Sequence, residues 1–189
     1  MSDKMQDADH VDMDKPLETM WEGRFIMAMR RGRWEYVSRA RGIGAAVILA
    51  IDDAPDGRHV ILVEQFRVPL GRRCVELPAG LVGDGDVADE APALAAAREL
   101  EEETGYHAES IEDLGRFYSS PGMVSESFTL FRARGLTPVG EGGGTPGEAI
   151  TVHRVPLAGL DGWLGEKRAE GCAVDVRLLM LLGAAYSAP

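Results

Sequence analysis

Cysteine is nearly absent: Cys74 and Cys172 are the only two in 189 residues. Neither a disulfide framework nor a cysteine-based metal or redox centre can be built from them at that spacing. Cys74 sits in an apolar, strand-like run and reads as a small buried thiol rather than a nucleophile. Basic residues are also under-represented, with 20 Lys and Arg against 31 Asp and Glu and a net charge of −11. That balance excludes nucleic acid held on a broad basic surface, which requires many neutralised phosphates. No apolar run is long enough to cross a bilayer, and residues 1–16 are acidic where a signal peptide has a basic start and an apolar centre. A cytoplasmic protein without membrane or nucleic-acid partners is therefore expected. A small phosphorylated ligand remains open, its charge met locally by cations and a few arginines.

With 45% of its residues hydrophobic, the chain can bury a substantial core without disulfide support. Residues 1–16 hold five aspartates and no aromatic side chain, a composition that predicts a disordered acidic tail. Folded structure is expected from near Trp21. Segments 24–29 and 33–39 read as a hairpin turning at Arg30-Arg31-Gly32, within an N-terminal β-segment assigned to residues 17–42. A main domain over residues 43–189 follows. Runs 45–51, 59–65 and 74–77 read as core strands bounded by Asp-, Gly- and Pro-containing turns. Further strands are expected at 114–118, 127–134 and 149–155, with helices near 157–170 and 174–186. Residues 135–147 contain six glycines and predict a flexible loop. His59 and His153 fall in strands and read as structural.

The run Arg98-Glu99-Leu100-Glu101-Glu102-Glu103-Thr104-Gly105-Tyr106 follows an alanine-rich stretch and predicts a helix. Asp89 is its expected cap, Pro92 is tolerated in the first turn, and Gly105 ends it. Helical geometry brings Glu99, Glu102 and Glu103 onto one stripe while Glu101 points elsewhere. Like charges at that spacing destabilise a bare helix. A hard divalent cation such as Mg²⁺ explains them better than helix stability does, with a solvated acidic face as the plainer alternative.

Upstream, Val75-Glu76-Leu77-Pro78-Ala79-Gly80-Leu81 reads as a strand entering a glycine turn. Together these segments resemble the Nudix hydrolase signature, with Glu90, Arg98, Glu99, Leu100, Glu102, Glu103, Gly105 and Tyr106 in register. The departure lies at the front, where nine residues instead of five separate Gly80 from Glu90. Asp86 keeps the shorter spacing and competes with Glu90 for the first acidic position. Trp34-Glu35-Tyr36-Val37, Glu64-Gln65-Phe66-Arg67-Val68-Pro69, and Pro121, which lies sixteen residues beyond Gly105, are similar to the ADP-ribose (ADP-sugar) pyrophosphatase branch.

The resemblance implies an α/β fold: a Nudix α/β/α sandwich with a mixed sheet and an additional N-terminal antiparallel β-segment. It implies Mg²⁺-dependent cleavage, with Mn²⁺ as a substitute, of a small nucleoside diphosphate sugar such as ADP-ribose. GDP-mannose and a non-catalytic ligand-sensing domain are the alternatives. Glu99, Glu103 and Glu102 are the implied metal ligands, joined by the Ala79 carbonyl and by Glu148. Glu148 doubles as the candidate general base, alone or with Glu141. Arg98 is expected to orient a glutamate. Arg39 and Arg67 are the implied diphosphate or ribose contacts, Glu126 a further substrate candidate, and Trp34 the adenine-stacking residue, with Phe25 a possible second. For both aromatics, core packing is the rival reading. Branch members usually dimerise through the N-terminal sheet, so a homodimer is expected.

Overall fold

The computed structural model describes residues 11–40, 44–83 and 90–183. The chain divides into two units: residues 1–44 with 118–127, and residues 45–117 with 128–189. In the first, β1 (Leu17–Glu22), β2 (Ile26–Arg31) and β3 (Trp34–Arg39) form a three-stranded antiparallel sheet. The hairpin turns at Gly32 and Arg33, one position later than the sequence predicts. Gly32 has φ +57, a left-handed conformation that glycine adopts without steric cost. β1 begins ahead of the expected start near Trp21. It is mostly exposed, and its pairing slips between Thr19 and Trp21, so no apolar alternation announces it.

The second unit is built on β4 (Ala45–Ala54), β5 (Gly57–Arg67), β6 (Arg72–Glu76), β7 (Ala79–Leu81), β8 (Tyr106–Tyr118), β9 (Ser127–Pro138), β10 (Thr151–Pro156) and β11 (Ala173–Val174). These eight strands form one mixed sheet. β4 runs parallel to β9 and antiparallel to β5 and β7. β5 joins β10 along one edge and β6 along the other, and β11 lies parallel to β6.

The near-continuous apolar run in β4 reflects burial on both faces. Val47, Leu49 and Ile51 point into one cluster with Leu62, Leu77, Leu160, Leu164 and Leu178. Ala46, Ile48 and Ala50 point into a second with Ile61, Ala96, Leu100 and Phe131. The strand period of two thus sends alternate residues to two helical layers, which is the α/β/α sandwich. Each fully buried leucine stabilises the fold by about 2 kcal/mol.

The acidic helix is α1 (Pro92–Thr104), which packs on β4, β5 and β7. Ala91 occupies its N-cap position without a side-chain cap bond. Asp89, the expected cap, and Asp86 lie outside the described residues. Pro92 fits the first turn because its missing N–H would have no helical partner. Gly105 ends the helix with φ +73 and donates its N–H to Glu101.

β8 starts directly after α1 and is far longer than expected, because its many charged, exposed residues mask the strand pattern. The helix expected at 157–170 resolves into a 3-10 turn, Leu157–Gly159, followed by α2 (Leu160–Ala169). Among the described residues, the helix expected at 174–186 is a 3-10 helix, Val176–Leu182, whose Asp175 accepts the Arg177 N–H at 2.7 Å, and residues 184–186 lie outside them. Among the described residues, no helix is long and apolar enough to cross a membrane. Cys74 is buried, and burial, foremost, pushes its thiol up to about 12, consistent with an inert core residue.

Candidate active site

Glu103 is the centre of the arrangement. It lies in the last turn of α1 yet is only 5% exposed, and its Oε2 accepts the Ala79 N–H of β7 at 2.9 Å. Burial is the largest influence on its carboxyl and raises it to about 8. The Ala79 N–H and Arg67 favour the ionised form, whereas the charges of Glu99 and Glu148 oppose it. Glu103 therefore feels Glu99 of its own helix and Glu148 of a distant loop.

Gly80 is a strand residue paired with Ala46, not the turn that the sequence suggests. A Cβ at this position would collide with the Glu99 carboxyl group. β7 approaches α1 so closely that only glycine leaves room for that side chain. Gly80→Ala is expected to displace Glu99 and lower turnover at least tenfold, while the melting temperature changes little because a flexible side chain absorbs the clash. Wild-type rates would contradict this placement.

Arg98 organises the other carboxylates. Its Nε and Nη2 reach Glu90 at 3.2 and 3.3 Å, and its Nη1 lies 2.9 Å from Glu99 and 3.0 Å from Glu102. The Glu90 hydrogen bond leads the effects that raise its pKa, so it stays charged. Glu90 is thereby tied to the helix through Arg98. Glu102 shares the Arg98 Nη1 with Glu99 and is half exposed, whereas Glu103 is buried. Among the described residues, no group of three His, Cys, Asp or Glu side chains stands ready to enclose an ion. The donor chemistry nevertheless fits one: Glu99, Glu103 and Glu148 present hard oxygen ligands whose repulsion is relieved by a cation. Glu101 points away and pairs with His107, as helical spacing requires.

The glycine-rich segment is tied down rather than loose. Residues 135–138 belong to β9. Beyond them, Val139 and Gly140 donate to the Gly105 carbonyl, Gly143 to Glu103 and Gly144 to Glu102. These main-chain donors satisfy carbonyls that the end of α1 leaves unpaired. The segment then delivers Glu148, which is exposed and accepts hydrogen bonds from Thr145 N and Oγ1 at 2.6 and 2.9 Å. Ala149 follows at φ +51, a conformation uncommon outside glycine.

Arg67 is fixed by Glu76, with Nε and Nη2 at 2.6 and 2.8 Å. Glu76 is only 3% exposed and went unnoticed as a site residue in the sequence, together with Arg177 and Asp175. The available signal was a glutamate between the apolar pair Cys74-Val75 and Leu77. A second missed group surrounds Glu64, which meets Arg73, His153 and Lys167 at 2.6, 2.9 and 3.1 Å. Burial works against its charge, but these partners prevail and bring it down to about 2. His153 is structural, packed edge-on to Trp163, and His59 is buried.

In the first unit, Arg39 pairs with Glu126 at 2.5 Å. Trp34 and Tyr36 line a cavity of about 590 Å³ together with Arg31, Arg33, Pro121 and Gly122. Trp34 is 48% and Phe25 64% exposed, so neither is a core residue.

Residues 41–171 match the NUDIX domain model. The chain belongs to the NUDIX family. It is 44% identical over 98 residues to an ADP-ribose pyrophosphatase of Bacillus subtilis (strain 168), covering 52% of this chain and 49% of that protein. It is 34% identical over 151 residues to a GDP-mannose pyrophosphatase of Cronobacter sakazakii (strain ATCC BAA-894), covering 75% and 72%. The solved structure of an ADP compounds hydrolase superposes with a TM-score of 0.64 at 25% identity, covering 88% of this chain and 89% of that one. The chain spans about half the length of the first curated relatives that it matches. NUDIX membership accounts for the mixed sheet and for the acidic helix at its centre.

Proposed function

We propose that this NUDIX protein hydrolyses the diphosphate bond of ADP-ribose or a related ADP-sugar, giving AMP and a sugar phosphate, with Mg²⁺ or alternatively Mn²⁺ as cofactor. The observation that carries this reading is the buried Glu103 on the NUDIX helix, facing Glu99 and Glu148. The names of the Bacillus relative and of the structural neighbour favour the adenine nucleotide. The longer match to the Cronobacter protein supports GDP-mannose as the second reading.

In the proposed site, Glu99, Glu103, Glu102, Glu148 and the Ala79 carbonyl would hold the cation. When bound, it neutralises the diphosphate and makes a water more acidic. Glu148 accepts a proton from the attacking water as that oxygen bonds to phosphorus and the anhydride P–O bond breaks. Arg98 orients the helix carboxylates. Arg67 contacts the diphosphate or ribose. Within the first unit, Arg39 offers a diphosphate or ribose contact that Glu126 supports, and Trp34 offers a face for adenine stacking.

Incubation of purified protein with ADP-ribose, GDP-mannose and diadenosine polyphosphates, with and without Mg²⁺, separates the readings. ADP-ribose is expected to give the highest kcat/KM and to require the metal. Failure to turn over any nucleoside diphosphate derivative would favour a ligand-sensing domain. Arg67→Ala is expected to raise KM for ADP-ribose about tenfold with a smaller change in kcat, since it removes binding rather than chemistry. An unchanged KM would count against the assignment.

The same reading places an acidic tail at residues 1–16, a dimerising β-segment at 17–42 and the hydrolase domain at 43–189, in a cytoplasmic homodimer. Exposed Met20, Trp21, Phe25 and Ile26 on the N-terminal sheet supply apolar surface for a second copy. Sedimentation equilibrium should give twice the chain mass of 20.4 kDa. A monomer at micromolar concentration would remove the dimer.

A further inference from the structure

Glu76 is a buried carboxylate shared by two arginines. Arg67 on β5 forks onto it, and Arg177 from the C-terminal 3-10 helix approaches its Oε2 at 3.4 Å. Arg177 is itself held by Asp175, through Nε and Nη2 at 2.7 Å each, and lies 5.6 Å from the centre of the Phe128 ring. The β5–β6 register places Val63 opposite Glu76, Gln65 opposite Cys74 and Arg67 opposite Arg72. Arg67 and Glu76 therefore share one sheet face, with the small Cys74 between their rungs. Ile61, two further along that face, packs in the cluster that contains α1 residues Ala96 and Leu100. Arg67 also lies within electrostatic reach of Glu103.

Glu103 is thus a further carboxylate within reach of Arg67, beside Asp175, which Arg177 already engages. Pairing with Glu103 would neutralise a group that the cation needs and withdraw the guanidinium from an incoming diphosphate. Pairing with Glu76 avoids both outcomes, because its fork uses Nε and Nη2 and leaves the arginine 41% exposed. Arg177 and Asp175 hold the Glu76 end in place. We infer that Glu76 is a positioning residue: it keeps Arg67 off Glu103 and presents it to the substrate diphosphate.

The inference rests on the proposed hydrolase reading, and a double-mutant cycle tests the two separately. Glu76→Gln, Arg67→Ala and the double variant would be compared in ADP-ribose kinetics and in Mn²⁺ titration calorimetry without substrate. Glu76→Gln is expected to raise KM about tenfold and to weaken Mn²⁺ binding about fivefold, as Arg67 swings to Glu103. In the Arg67→Ala background the same change should leave KM unaltered, and Mn²⁺ affinity should return to that of Arg67→Ala alone. Equal effects in both backgrounds, or an unaltered KM and Mn²⁺ affinity in folded Glu76→Gln, would overturn the inference. Glu76→Asp, which keeps the charge but shortens the reach, should show the same dependence on Arg67 and serves if Glu76→Gln fails to fold. Absence of turnover in the wild type would remove the hydrolase reading, whereas the Mn²⁺ cycle still reports whether Arg67 competes for Glu103.

Discussion

Glu103→Gln is expected to lower turnover at least ~100-fold while raising the melting temperature of the metal-free protein by a few degrees. Both effects have one origin. The carboxylate is buried beside Glu99 and Glu148, and burial, foremost, raises its carboxyl to about 8 from an ordinary 4.5. Between those values the unfolded chain has lost the proton that the folded chain retains, so the metal-free protein loses stability as pH rises through that window. Above pH 8 both states are ionised and the decline ends. Glutamine can keep an oxygen on the Ala79 N–H, carries no charge and should flatten this dependence. Cation binding must displace the same proton, so metal affinity should climb with pH up to about 8. Melting curves in chelator from pH 5 to 9 provide the check. Parallel pH profiles for wild type and variant, or retention of the wild-type rate, would remove Glu103 from the centre of the site.

Glu148→Gln should reduce kcat about 10²- to 10⁴-fold and change KM by less than about threefold, the pattern of a lost proton acceptor rather than lost binding. Fold stability should barely change, since the side chain is exposed and its hydrogen bonds among the described residues stay within its own turn, to Thr145. A solvent-facing loop glutamate would show neither loss. If kcat survives, Glu141 is the next residue to substitute, because it lies in the same tethered segment.

Much of this was legible in the chain because burial leaves a pattern. β4 and β5 are covered on both faces, so their apolar runs stand out, and the alanines of α1 mark the helix face that meets the sheet. β1 falls inside the β-segment expected at 17–42 but carries no alternation of its own, since exposure on both sides removes any need for it. A 3-10 and an α-helix of similar length cannot be separated by such patterns, which explains the ending at Val176–Leu182. Within the site, the roles of Glu99, Glu102 and Glu103 are suggested by spacing because they lie on one helix. The Glu76 cluster is different: its two arginines lie 9 and 101 positions away, and no local periodicity connects them. Gly80 was visible as a residue but not as a space, because the carboxyl group that occupies it belongs to another element.

The amides of residues 139–144 grip the end of α1 without the help of any side chain, which makes this segment a ruler rather than a hinge. Its composition can drift at residues 139–141, but Gly142, Gly143 and Gly144 hold positive φ and a Cβ on Gly142 would strike the backbone of Thr104 and Gly105. Its count cannot: one residue added between Gly144 and Glu148 would shift the carboxylate by up to about 3.5 Å. Members of the family that differ here should therefore keep the length and the three glycines and vary at the positions of residues 139–141.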